Sequence, residues 1–142
     1  MILLDTNVVS ELAKAAPDEH VVAWLVDEPT AGLFISTITE GELRYGVALL
    51  AAGRRRDRLT TEIENMLTVE FADRILPFDS SAAIAYAEIA AARRQSGRPI
   101  SQFDAQIAAI ARSRGAALAT RNVADFSHCG IKVINPWNAK GS

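Results

Sequence analysis

The sequence predicts an α/β domain with a mostly parallel, roughly five-stranded central sheet covered by helices on both faces. Three observations predict it. Short apolar runs of strand length alternate with longer stretches of helical periodicity. Most of the helical stretches open on capping residues and several close on glycine. The chain has 142 residues, 49% of them hydrophobic, enough for a substantial core in a domain of this size.

Ile2-Leu3-Leu4 reads as a buried first strand, and Asp5-Thr6-Asn7 has the residue types that begin helices. A helix is expected to about Lys14, and a second near Asp18–Val26 after Pro17. Gly32–Ser36 reads as the second strand. Thr39 is expected to open a long helix ending near Gly53, with Thr39-Glu40-Gly41-Glu42 fitting a capping box. Residues 54–69 form another helix, whose start carries Arg54, Arg55, Arg56 and Arg58. That start opposes the helix dipole, which favours anions there, so contact with phosphates or a partner's acids is one reading. Solvated helix surface is the other.

Arg74–Phe78 is expected as the third strand, with Pro77 limiting its pairing. Asp79-Ser80-Ser81 caps an alanine-rich helix to Gly97, and Ser101 begins the next, to Gly115. Ala116–Thr120 is the fourth strand, Val123–Phe126 a short turn, and Ile131–Ile134 the last strand. Residues 1–138 read as one domain, and 139–142 as a tail whose Lys-Gly-Ser ending resembles a cloning remnant.

Composition excludes several classes. Cys129 is the one cysteine, so neither an internal disulfide nor a cysteine-based zinc site can form. No run approaches the ~20 apolar residues of a membrane span, and the reading is a cytoplasmic protein without membrane contact. The net charge is −2 but uneven: residues 1–42 hold eight acids and one lysine, and the rest nine acids against fourteen Lys and Arg. Such asymmetry suits an acidic site flanked by a basic surface.

In parallel sheets, sites lie beyond the carboxyl ends of the strands. Asp5 stands at the end of strand one. Glu42 is expected in the first turn after strand two, Asp104 in the first turn of the helix leading to strand four, and Asp125 shortly after that strand. Each has an alternative role as a helix cap. Together they would repel one another unless a cation compensates. Hard oxygen ligands without His or Cys select Mg²⁺ or Mn²⁺ over zinc, and such a site beside arginines suits phosphate chemistry. Asn7, Ser36 and Thr120 sit at strand ends, where they could orient the acids or serve in plain turn hydrogen bonding. Arg93, Arg94, Arg98 and Arg121 are further candidates for backbone contact. Neither His20 nor His128 has catalytic spacing, and Trp24 and Trp137 read as packing or interface residues.

Five ordered blocks carry a family resemblance: Leu3-Leu4-Asp5-Thr6-Asn7, Ile38-Thr39-Glu40-Gly41-Glu42-Leu43, Phe103-Asp104-Ala105-Gln106-Ile107-Ala108-Ala109, Ala119-Thr120-Arg121-Asn122-Val123-Ala124-Asp125-Phe126 and Asn135-Pro136-Trp137. Over nearly the whole length the chain resembles the PIN-domain ribonucleases, specifically the VapC-type toxins of toxin–antitoxin modules and their FitB-like branch. The resemblance implies a three-layer α/β/α domain and an Mg²⁺- or Mn²⁺-dependent endoribonuclease. It further implies a homodimer inhibited by a cognate antitoxin, which would bring the complex to operator DNA. Asp5, Glu42 and Asp104 fall on the family's acidic positions, and Glu40 becomes an exposed first-turn acid. The fourth acid is placed at Asp125, with Asn122 occupying the position where some relatives carry an aspartate. Alternatives remain a catalytically silent PIN domain in a repressor complex, a DNA-directed nuclease, and a phosphatase with an aspartate nucleophile. The last lacks a second acid two residues after Asp5, since Asn7 stands there.

Overall fold

The computed structural model describes residues 1–138, so the expected tail at 139–142 lies outside the described residues. Five strands form one parallel sheet in the order β3-β2-β1-β4-β5: β1 (Ile2–Leu4), β2 (Leu33–Ser36), β3 (Ile75–Leu76), β4 (Ala117–Ala119) and β5 (Val133–Ile134). The helices are α1 (Thr6–Leu12), α2 (Glu19–Val26), α3 (Thr37–Ala48), α4 (Arg54–Asn65), α5 (Ser80–Gln95) and α6 (Gln102–Arg114). Among the described residues no helix is long and apolar enough to cross a membrane.

The two-residue period of the strands divides the core. Leu3 and Leu118 face one side, with Ile89 of α5 and Ile107 and Ile110 of α6. Leu4, Ile35 and Ala119 face the other, with Val8 and Val9 of α1, Val21 of α2 and Leu67. Central strands buried on both faces are therefore apolar at consecutive positions, as Ile2-Leu3-Leu4 is. In α6 the run Ala108-Ala109-Ile110-Ala111 is buried throughout. Its small side chains let the helix lie between the sheet and α5.

From β1 the chain winds outward through β2 to β3, then crosses to β4 on the opposite side of β1. The strand order thus reverses between β1 and β4. The crevice beyond the carboxyl ends at such a reversal is where open α/β sheets place their sites.

Several boundaries differ from the sequence reading. Helix α3 begins at Thr37, not Thr39, because the Ser36 hydroxyl accepts the Thr39 N–H at 3.1 Å. This cap leaves no role for a Thr39–Glu42 capping box, and Glu42 lies beyond the first turn. Helix α4 ends at Asn65 and continues as a π-helical turn over Met66–Glu70. The third and fifth strands pair over only two residues each.

Arg93 is also corrected. It is not a surface contact for nucleic acid but a buried cation. Its guanidinium donates to the carbonyls of Arg98 at 2.6 Å, Asp125 at 2.9 Å and Ser127 at 3.0 Å. It thereby fixes the loop after β4 to α5.

Gly115 closes α6 in the left-handed region at φ 66°, and a Cβ there would meet nothing within 4 Å. The penalty for Gly115→Ala is therefore conformational, not steric. The variant should lose about 1 kcal/mol, read as a melting temperature lower by roughly 3–5 °C. An unchanged melting temperature would contradict this account of the cap.

Candidate active site

The crevice beyond β1 and β4 is an open cleft lined by Asp5, Glu42 and Asp104, with Thr6, Asn7, Ser10, Glu11, Lys14, Arg121, Asn122 and Trp137. The three acids come from three separate elements: the end of β1, α3 and the first turn of α6. None of them forms an ion pair with a Lys or Arg among the described residues.

Asp5 is buried, 6% exposed, directly after β1. Its backbone N–H extends the β1–β4 ladder by donating to the Ala119 carbonyl at 2.9 Å. That pairing brings the next β4 residue alongside, and the Thr120 hydroxyl donates to Asp5 Oδ2 at 2.8 Å. The other oxygen, Oδ1, accepts the Thr6 N–H at 2.7 Å and so caps α1. Capping and site membership, alternatives in the sequence, are combined in one carboxylate.

Two donor chains converge here. Thr120 Oγ1 accepts from Asn7 Nδ2 at 3.2 Å and from the Asn122 N–H at 3.1 Å, while its own proton goes to Asp5. On the other side, the Thr6 hydroxyl donates to Glu42 Oε1 at 2.9 Å. With that proton committed, Thr39 supplies the proton of the 2.9 Å Thr6–Thr39 contact, and Ser36 donates to Thr39 at 3.4 Å. Each hydroxyl in such a chain polarises the next toward the carboxylate.

Asn7, Ser36, Thr120 and Asn122 thus all lie in the networks that orient the acids. Sequence reasoning missed Thr6, which bridges Asp5 and Glu42, and Thr39. It also missed the Glu11–Lys14 pair at 2.8 Å on the cleft wall. The available signal for Thr6 was its place at the first helical position beside Asp5.

Asp125 is exposed in the 3₁₀ turn Val123–Phe126 and is not among the residues lining the cleft. Its charge still reaches Asp104. Arg54, Arg55, Arg56 and Arg58 do not line the cleft, whereas Arg121 does.

Burial pushes the Asp5 carboxyl above its ordinary value; the bonds from Thr120 and Thr6 oppose this, and the charges of Asp104 and Glu42 add to it. Burial likewise raises Asp104, opposed by Ser101, with Asp125 raising it further and Arg93 lowering it. Lys14, with the Asp18 amide, holds Glu11 below the usual carboxylate range.

The donor set suits a hard divalent cation. Each Asp5 oxygen keeps a lone pair beyond the one it spends, and no Lys or Arg already neutralises the group. Among the described residues no three acids converge closely enough to form a ready-made coordination shell. They line one cleft without forming that shell.

The model of the PIN domain family matches residues 2–131. The chain belongs to the PIN-domain family. It is 43% identical to VapC ribonuclease Y4jK of Sinorhizobium fredii over 96% of this chain and 98% of that protein. It is 42% identical to toxin FitB of Neisseria gonorrhoeae over 97% of this chain and 99% of that one. The structure of FitAB bound to an IR36 DNA fragment superposes with a TM-score of 0.93 at 41% identity, covering 99% of this chain and 98% of its counterpart. The three-layer PIN fold expected from the sequence is the fold observed, and PIN-domain nucleases depend on divalent metal.

The raised Asp5 pKa has a consequence for stability. Its folded-state value lies above the unfolded one, so ionised Asp5 lowers stability at neutral pH. That cost shrinks as pH falls between the two values and is gone below about pH 3.9. In metal-free buffer at pH 7, Asp5→Asn should therefore melt above the unsubstituted protein. The gain should vanish near pH 4, and Mg²⁺ should raise the melting temperature of the unsubstituted protein alone. A variant less stable at pH 7 would show that the charge is already compensated.

Proposed function

We propose that the chain is a divalent-metal-dependent endoribonuclease acting as the toxin of a toxin–antitoxin module, with Asp5, Glu42 and Asp104 as its acid centre. One observation carries the reading: three carboxylates from three elements line the crevice at the strand-order reversal of a PIN fold, with no Lys or Arg of the described residues paired to them. A silent PIN domain would have no reason to line one cleft with these acids at the energetic disadvantage that burial imposes on Asp5.

Mg²⁺ or Mn²⁺ held by these residues would supply an activated water at neutral pH and offset charge on the scissile phosphate. Asp5 and Asp104 are the main ligands in this reading, and Glu42 completes the set. Thr6 aims a Glu42 oxygen, and Thr120 and the Thr6 N–H aim those of Asp5. Asn7 and Ser36 brace those threonines. Asp125 acts on Asp104 through its charge or through water, and Asn122 fixes the loop by its N–H to Thr120.

An RNA substrate and an antitoxin that carries the chain to operator DNA fit the relatives; a second copy of the chain and a cytoplasmic setting belong to the same proposal. The α4 arginines remain candidates for antitoxin acids.

The test incubates total RNA with the unsubstituted protein, Asp5→Asn and Asp104→Asn, with Mg²⁺ or with chelator. Cleavage should require Mg²⁺ or Mn²⁺ and fall by more than about 100-fold in either variant, since even outer partners of metal ligands are worth 10–100-fold. Cleavage that survives in chelator or in Asp5→Asn sinks the mechanism, and cleavage of DNA alone would move the chain to the DNA-directed class.

A second test addresses the bridge. Thr6→Val keeps shape but removes the hydroxyl that reaches Glu42. RNA cleavage should drop roughly 10–100-fold while the fold persists by circular dichroism. Full activity would make the Thr6–Glu42 bond incidental.

A further inference from the structure

Resting on the ribonuclease reading, we infer that Arg121, seated on Trp137, holds a backbone phosphate of the RNA strand in the acid cleft, in place of the arginine cluster of α4. Two cations line the cleft, Lys14 and Arg121. They differ in availability. Lys14 is tied to Glu11 at 2.8 Å, and Glu11 is itself fixed by the Asp18 N–H at 3.0 Å.

Arg121 is exposed and forms no ion pair among the described residues, although four carboxylates, Asp5, Glu11, Glu42 and Asp104, share its cleft. Its guanidinium carbon instead stands 5.2 Å from the centroid of the Trp137 ring. The contact draws the cation onto an aromatic face, and a stacked guanidinium keeps its in-plane N–H edge free for two parallel bonds to phosphate.

The position of Arg121 is set from the catalytic side. Its backbone N–H donates to Asn7 Oδ1 at 3.4 Å, and the Asn7 amide donates to Thr120, which donates to Asp5. The phosphate-holding residue is thus registered to the buried acid through two side chains. Trp137 is a positioning residue: it acts on RNA through Arg121. By contrast Arg54, Arg55, Arg56 and Arg58 lie outside the cleft lining, on a helix whose surface they share with Asp57 and Glu62.

The test measures binding, so that it stands apart from cleavage. A fluorescein-labelled, mixed-sequence single-stranded RNA 20-mer is titrated by anisotropy against the full chain carrying Asp104→Asn, in Mg²⁺, over a range of salt. Adding Arg121→Ala should weaken binding about 10-fold and flatten the log–log salt dependence by about 0.7, the value of one phosphate contact on a single strand. Arg121→Lys should restore the slope but only part of the affinity. Trp137→Leu should leave the slope intact and weaken binding about 3-fold, because the charge remains but its orientation is lost. The double variant Arg54→Ala/Arg55→Ala should change neither.

Unchanged affinity and slope in Arg121→Ala overturn the inference, as does a loss carried by the α4 double variant. So does an Arg121→Ala that binds RNA normally but fails to bind the antitoxin. If the unsubstituted protein neither binds nor cleaves RNA in Mg²⁺, the ribonuclease reading falls and the inference with it.

Discussion

The pairing of β1 with β4 is the constraint on which the site depends. Leu4 lies opposite Ala119, and the Asp5 N–H continues the ladder to the Ala119 carbonyl at 2.9 Å. One residue further on, Asp5 and Thr120 must face each other beyond the sheet. A slip of one residue would turn Leu4 and Ala119 to the wrong face and take Thr120 away from the carboxylate. Side-chain fit opposes that slip, because Leu3, Leu4, Leu118 and Ala119 are each packed against their own neighbours on their own side. Core packing and catalytic geometry are therefore set by the same register.

The other acids are placed by elements with equally little freedom. Asp104 sits in the first turn of α6, the helix whose alanines are buried between the sheet and α5. Ser101 caps that helix through the Asp104 N–H at 3.2 Å, so cap and acid are a single local structure. Glu42 has a longer side chain on α3, and the Thr6 hydroxyl supplies the restraint that distance along the helix does not. Asp5 takes its partners from Thr120 and the Thr6 N–H beside it, whereas Glu42 takes its partner from another helix. One hydroxyl chain, from Ser36 through Thr39 and Thr6, thus ends on Glu42, and another, through Thr120, ends on Asp5.

The fold was legible in the sequence because its signals are local. Continuous apolar triplets, capping residues and glycine stops lie within a few positions of one another, and they place every strand and helix. Asp5, Glu42 and Asp104 were legible through their blocks, and the structure brings those three to one cleft. What was not legible depends on contacts across the chain. Whether Ser36 or Thr39 caps α3 cannot be told from composition, since both are good capping residues three positions apart. Arg93 reads like its neighbour Arg94, yet it is buried because the carbonyls of residues 98, 125 and 127 need its donors. The contribution of Thr6 requires knowing that α1 and α3 start side by side at one sheet edge. Asp125 remains the least local of all: the chain places it near Asp104 in charge but outside the cleft lining.

Charge counted along the chain also differs from charge in space. The sequence puts its densest positive run at the start of α4, and that run invites assignment to RNA. A charge beyond about 8–10 Å of a phosphate is largely screened at physiological ionic strength. Three carboxylates in the cleft without a Lys or Arg partner, Asp5, Glu42 and Asp104, repel an approaching phosphate locally, so the opposing cations must be local too. A divalent ion on the acids answers part of that repulsion. A cation held inside the cleft, yet prevented from collapsing onto the acids, answers another part. Pairing Arg121 with an indole meets the second requirement, because an aromatic face attracts the guanidinium without neutralising it. An acid-built phosphodiesterase site thus needs uncharged residues such as Trp137 to keep its positive charge available.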